Sequence, residues 1–216
     1  MCAEAETFKH GSLTSMPEAE LVQRLLAHPF NRADLLGIRG IPSDALTLTR
    51  VPLAALPGSP KGDVDVLAWA PGRPEEAVVF EVKRFKVVVE GGSWDRPNKL
   101  HEFQKGVRQA NLLAQVGFCQ VYLWVLVVVD TRKQNVGTVS YAGMSPELRS
   151  EVAGAITTGG LDPSIGVVQH ELVQPMDNPP LTVGTGDLHL VQLAESTIQP
   201  EEVTAWVARL AEHGAA

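Results

Sequence analysis

The chain predicts an α/β fold, with an α-β-β-β-α-β core and a C-terminal α+β extension, and three observations predict it. An amphipathic helical stripe around residues 17–27 precedes three short runs with strand-like composition. A second amphipathic helix follows over 98–117. It leads into "VYLWVLVVV" (121–129), an apolar run far short of the roughly 20 residues a membrane helix needs. That run reads as a buried strand.

Each element has its own signals. In "TSMPEAELVQRLLAHPF", Ser15 is placed as an N-cap, Pro17 fits the first turn, and Glu18 completes a capping-box spacing. Leu21, Val22, Leu25 and Leu26 form the apolar stripe. "LTLTRVPLA" (46–54) alternates as a strand, and residues 62–69 and 77–89 are two more, joined by "APGRPE". The next helix turns Phe103, Val107, Ala110, Leu113 and Ala114 inward, with Gly117 near its end. Beyond Asp130, "SPELRSEVAGAITTGG" reads as a helix, "GVVQHELVQ" and "DLHLVQLAES" as strands, and "QPEEVTAWVARLAEHG" as a terminal amphipathic helix. The organisation expected is an N-terminal segment (1–15), a core (16–130) and an extension packed on it (131–216).

With 216 residues, 44% hydrophobic and 20% charged, the chain suffices for one domain with a sizeable core. Cys2 and Cys119 are its only cysteines, which excludes a disulfide framework or a cysteine-based zinc site. The first residues lack the apolar segment of a signal peptide, so a reducing, cytoplasmic setting is expected, with no membrane partner. Net charge is −7, yet residues 81–108 carry seven Lys/Arg against four acids. An acidic body with one basic segment can still steer a polyanion to that segment; a solvated helix face explains the same charges.

The stretch "KGDVDVLAWAPGRPEEAVVFEVKRF" (61–85) puts Asp63, Asp65, Glu81 and Lys83 where strands normally carry Val or Ile. If its two runs pair antiparallel around a turn near Arg73, opposite partners have numbers summing to 146. Asp65 then faces Glu81 and Asp63 faces Lys83, all four on one face, with Val64, Val66, Phe80 and Val82 on the other. Opposed side chains have Cβ atoms about 4.5–5.5 Å apart, so two carboxylates there repel. A hard divalent cation compensates such a pair, and a nearby ammonium can hold a phosphate or the attacking water. A surface salt-bridge cluster on a solvated sheet explains the same spacing.

In context, "GDVDVLAW…AVVFEVKR", preceded by a helix with "EAEL" and followed by one with "KGVRQANLL", resembles the PD-(D/E)XK, or restriction-endonuclease-like, superfamily of metal-dependent nucleases. The resemblance covers about residues 16–130 and rests on the Asp of one strand followed by Glu-Val-Lys on the next. It implies an α/β/α sandwich with a mixed central sheet, and Mg²⁺ or Mn²⁺ held by Asp65 and Glu81, with Asp63 as an additional acid that binds a second ion or pairs with Lys83. It implies Lys83 as the motif lysine and Gln109 as the glutamine that arranges the site. Glu18 resembles the acid some members contribute from the first helix, with Glu20 an equal candidate; the capping box is its competing role. Val64 stands where the family name has proline.

The expected activity is hydrolysis of nucleic acid, with DNA the expected substrate and an endonuclease the expected type. Arg84, Arg96, Lys99, Lys105 and Arg108 are the candidate phosphate contacts. Trp94, beside Arg96 and Lys99, is read as packing under its loop, with base stacking the alternative. His101, His170 and His189 have no metal-like spacing, and "VGTGD" lacks the lysine of a phosphate loop. No DNA-reading module is recognisable, which leaves specificity low or supplied by a homodimer or a partner. A nuclease-fold DNA-binding or assembly protein that no longer cuts is the rival reading.

Overall fold

The computed structural model describes residues 13–37, 40–56, 62–90, 93–94, 103–133, 146–174 and 186–214. Helices α1 (Glu18–Ala27) and α2 (Pro29–Gly37) lead into strands β1 (Leu46–Pro52), β2 (Asp63–Trp69) and β3 (Val78–Glu90), and a two-residue β4 (Ser93–Trp94). Helix α3 (Phe103–Val116), β5 (Gln120–Lys133), α4 (Pro146–Thr158), β6 (Gly166–Gln174), β7 (Gly186–Gln192) and α5 (Glu201–Gly214) follow. The sheet order is β1-β2-β3-β5-β6-β7, with β4 paired to β3. Strands β3, β5 and β6 run parallel, while β1, β2 and β7 pair antiparallel. The sheet is mixed. The segment beyond residue 130 supplies two of its strands.

Alternation along β3 and β5 sorts the core into two layers. Even positions such as Phe80, Val82, Trp124 and Leu126 pack with Leu21, Leu25, Leu35 and Leu36 of α1 and α2. Odd positions such as Phe85, Leu123 and Val127 pack with Phe103 and Val107 of α3 and Val152 of α4. Helix α5 closes the same side through Val203, Trp206 and Val207, as its apolar stripe predicts. Helices therefore cover both faces, and β5 is buried from Val121 to Asp130, as a parallel strand between two layers requires.

Helix α2 has no counterpart in the sequence reading. It is short, begins at Pro29, which suits a first helical position, and buries only Leu35 and Leu36. The loop expected around Trp94 instead contains β4, where Trp94 pairs with Val89. Helix α3 ends as expected before Gly117, whose φ of 92° is the left-handed conformation that glycine adopts without strain.

Gly166 shows how tightly β5 and β6 are joined. Any Cβ there would overlap the ring of Tyr122, whose hydroxyl accepts a hydrogen bond from the Ala194 N–H at 3.1 Å. Gly166→Ala must displace a fully buried ring, so it is expected to cost about 1–3 kcal/mol. Thermal unfolding is the measurement; an unchanged Tm would show that the ring yields freely.

Candidate active site

The β2–β3 ladder pairs Val66 with Phe80, Leu67 with Val79 and Ala68 with Val78. Each pair sums to 146, the register read from the sequence. Beyond Val66 the backbone pairing stops, although β3 continues to Glu90. The N–H groups of β3 that would have met β2 then need other acceptors. Carboxylates supply them. Asp65 Oδ2 accepts from Val82 N at 2.8 Å, and Glu18 Oε2, from α1, accepts from Arg84 N at 2.7 Å.

Glu81 and Lys83 alternate with those two donors and share their parity with Phe85, facing α3. Glu81 is 1% exposed. Lys83 Nζ donates to Glu81 Oε1 at 2.5 Å and to the Val82 carbonyl at 2.8 Å. Its stem crosses Gly106 of α3 so closely that a Cβ there would overlap it. A glycine at the end of the first turn of α3 thus makes room for the lysine. Three carboxylates and one ammonium meet where the ladder opens.

Their proton affinities reflect burial first and the neighbouring charges second. Burial, then the Asp65 carboxylate, pushes Glu81 up to about 7, against a smaller downward pull from Lys83. Burial raises Asp65 too, opposed by the Val82 N–H and by Lys83, and Asp65 also hydrogen-bonds the Glu81 side chain. Glu18 is raised by burial, with Lys83 opposing. Burial pulls Lys83 down, but Glu81, Asp65 and Glu18 together outweigh it and hold the ammonium protonated. Such a buried, coupled group is the electrostatic pattern of functional sites. A solvated surface ladder does not fit it.

Glu18 and Val22 of α1, Thr49 and Arg50 of β1, and Asp65 and Val82 line a cavity of about 300 Å³ beside the cluster. A second cavity, of about 350 Å³, lies by Ile41, Ala70, Arg73 and Cys119, where β2 ends and β3 begins, away from these carboxylates. Its thiol is pushed up by burial and stays protonated.

The remaining candidates divide. Glu18 does not close a capping box: α1 starts at Glu18 itself, Pro17 occupies the cap, and no side chain caps the helix. Its carboxylate is therefore free to leave the helix for β3. Glu20 pairs with Arg24 at 3.1 Å. Asp63 is exposed at the first position of β2, and Lys83 bonds Glu81 and Val82 rather than Asp63, because the ladder has already opened. Val64, expected beside Val66, instead joins the cluster of Leu67, Trp69 and Val79. Arg84 is half-buried, and burial lowers its pKa; its guanidinium bonds the carbonyls of Thr14 at 2.7 Å and Leu13 at 3.5 Å. That role anchors the chain before α1, so its guanidinium is taken up within the fold. Lys105 and Arg108 are exposed on α3, and Arg96, Lys99 and His101 lie outside the described residues.

Gln109 follows Gly106 by three positions on α3, half-buried, and its Oε1 has no hydrogen-bond partner among the described residues. His170 is buried against Trp124 and held neutral, with a pKa lowered by burial to about 4. His189 lies 3.6 Å from fully buried Glu171, which also accepts from Arg149 at 3.2 Å. Among the described residues, no three acids, histidines or cysteines are gathered to hold a metal ion in this arrangement. Each carboxylate of the cluster already takes a protein donor. Arg50 and the Gly106 gap were not singled out from the sequence; only the glycine inside a helical pattern offered a signal.

No known family model matches the chain, and no curated protein does. Among solved structures, the chain is similar to SfsA of Pyrococcus furiosus in complex with Ca²⁺, with 12% identity over 81% of this chain and a TM-score of 0.29. The match spans 65% of the SfsA chain. No helix among the described residues is long and apolar enough to cross a membrane.

The raised Glu81 pKa has a signed consequence. The folded protein keeps this proton up to about pH 7, whereas the unfolded chain releases it near 4.5. Glu81 therefore contributes stability that is complete below pH 4.5 and lost as pH rises through about 7, on the order of 3 kcal/mol. Glu81→Gln is expected to flatten the pH dependence of Tm across that window. Parallel curves for the two proteins would contradict it.

Proposed function

We propose that this chain is a metal-dependent nuclease of the PD-(D/E)XK, restriction-endonuclease-like kind, cleaving phosphodiester bonds in nucleic acid, with DNA as the expected substrate. The observation that carries the reading is the buried convergence of Glu18, Asp65 and Glu81 on the single ammonium of Lys83. The donor set suits a hard divalent cation: it offers carboxylate oxygens in excess of the cationic charge present, and burial raises all three carboxyl groups. Asp65 and Glu81, with Glu18 beside them, would hold Mg²⁺ or Mn²⁺. When bound, such an ion supplies positive charge to a phosphate and makes water a stronger acid.

The chain's own residues do the rest. Lys83, led past Gly106 to the carboxylates, stabilises the negative charge that builds on the phosphate during attack. Gln109, with an unpartnered carbonyl oxygen on the same helix, accepts a hydrogen bond from water and orients it. Lys105 and Arg108, exposed on α3, bind the backbone of the nucleic acid.

One observation favours a second reading, a nuclease-fold DNA-binding or assembly protein without turnover. Every carboxylate of the cluster is already satisfied by a protein donor. Cleavage of linear, nicked, circular and single-stranded DNA, and of RNA, with and without Mg²⁺ or Mn²⁺, separates the two. Wild type is expected to cut only with metal, and Lys83→Ala to bind but not cut. Arg108→Ala is expected to weaken capture and reduce the salt slope by about one. Equal cleavage by wild type and Lys83→Ala would refute the catalytic role, and binding without any cleavage would establish the second reading.

A further inference from the structure

Arg50 is the one non-glycine residue with a left-handed backbone among the described residues, at φ 54°. Its Cβ makes that conformation costly, and such residues concentrate at functional sites. The position is not arbitrary. The β1–β2 ladder pairs Thr49 with Val66 and Val51 with Val64, and skips the pair between them, Arg50 and Asp65. The strained residue thus lies directly across from a carboxylate of the site.

Two further observations concern its side chain. The Arg50 side chain is exposed and, among the described residues, no hydrogen bond or ion pair holds it, so the strain is not explained by a strut that the fold needs. It lines the 300 Å³ cavity with Glu18 and Asp65 and is the only cation among the described lining residues. A phosphodiester entering that cavity meets two acids, and its approach is unfavourable without a positive charge on the wall. A guanidinium suits the task because its planar fork can donate two parallel hydrogen bonds to phosphate oxygens.

We infer that Arg50 is a substrate-binding residue: the left-handed turn in β1 presents its guanidinium at the cavity, where it grips a phosphate of the nucleic-acid strand. The inference rests on the nuclease reading and adds to it a contact that lies outside the Asp…Glu-Val-Lys pattern. It also gives the strain a function. Glycine would relieve the backbone at this position, but would remove the cation.

The test compares wild type, Arg50→Gly and Arg50→Lys using a fluorescent DNA oligonucleotide. Thermal unfolding, binding against salt without metal, and KM and kcat with Mg²⁺ are measured. Arg50→Gly is expected to hold its Tm or raise it by up to roughly 4 °C. It should also weaken binding and raise KM about tenfold, with a smaller change in kcat, and reduce the salt slope by about one. Arg50→Lys should recover the salt slope and part of the affinity. If wild type is active and Arg50→Gly has unchanged KM and salt slope, or loses Tm, the inference falls while the nuclease reading stands. If wild type neither binds nor cuts nucleic acid, both fall.

Discussion

The site depends on two backbone amides that the sheet leaves without strand partners. β3 is longer than its pairing with β2, and the N–H groups of Val82 and Arg84 lie beyond the last ladder rung. A buried amide without an acceptor would cost about 1–3 kcal/mol, so both must be satisfied. Asp65 reaches one from the neighbouring strand and Glu18 reaches the other from α1. Alternation then sends Glu81 and Lys83 to the α3 face between these anchors. The opening of the ladder fixes which strand, which helix and which residues meet.

That solution brings an electrostatic cost. Glu18, Asp65 and Glu81 are brought together by geometry, and Lys83 offsets all three, with Arg84 adding a smaller pull on Glu18. A protein needing only a satisfied sheet end could use neutral acceptors, such as Asn or Thr, without the repulsion. The retained charge, the glycine that clears a path for Lys83 and the strained Arg50 each break a local rule at the same place. Such departures belong where function, rather than stability, sets the residue.

The hairpin register was legible because "APGRPE" is a compact turn between two alternating runs, and one symmetric pairing follows from it. The order of α1, β1–β3, α3 and β5 was legible from hydrophobic periodicity. Other features depend on long-range contacts that leave no local trace. Glu18 has the spacing of a capping box, and only the proximity of β3, 66 residues later, sends its carboxylate elsewhere. Asp63 extends the predicted alternation, but the ladder opens before reaching it. Arg84 looks like one of a basic series, and its use by the Leu13 and Thr14 carbonyls follows from tertiary packing. The left-handed turn at Arg50 has no glycine or asparagine to announce it.

The central proposal is that Asp65 and Glu81, at the open ladder, hold a divalent cation. Calorimetric titration with Mn²⁺ above the Glu81 pKa of about 7, paired with thermal unfolding, tests this most directly. The account predicts saturable binding that raises the Tm with metal concentration, and loss of both effects in Asp65→Asn. Absence of binding to wild type, or undiminished affinity in Asp65→Asn, would contradict it.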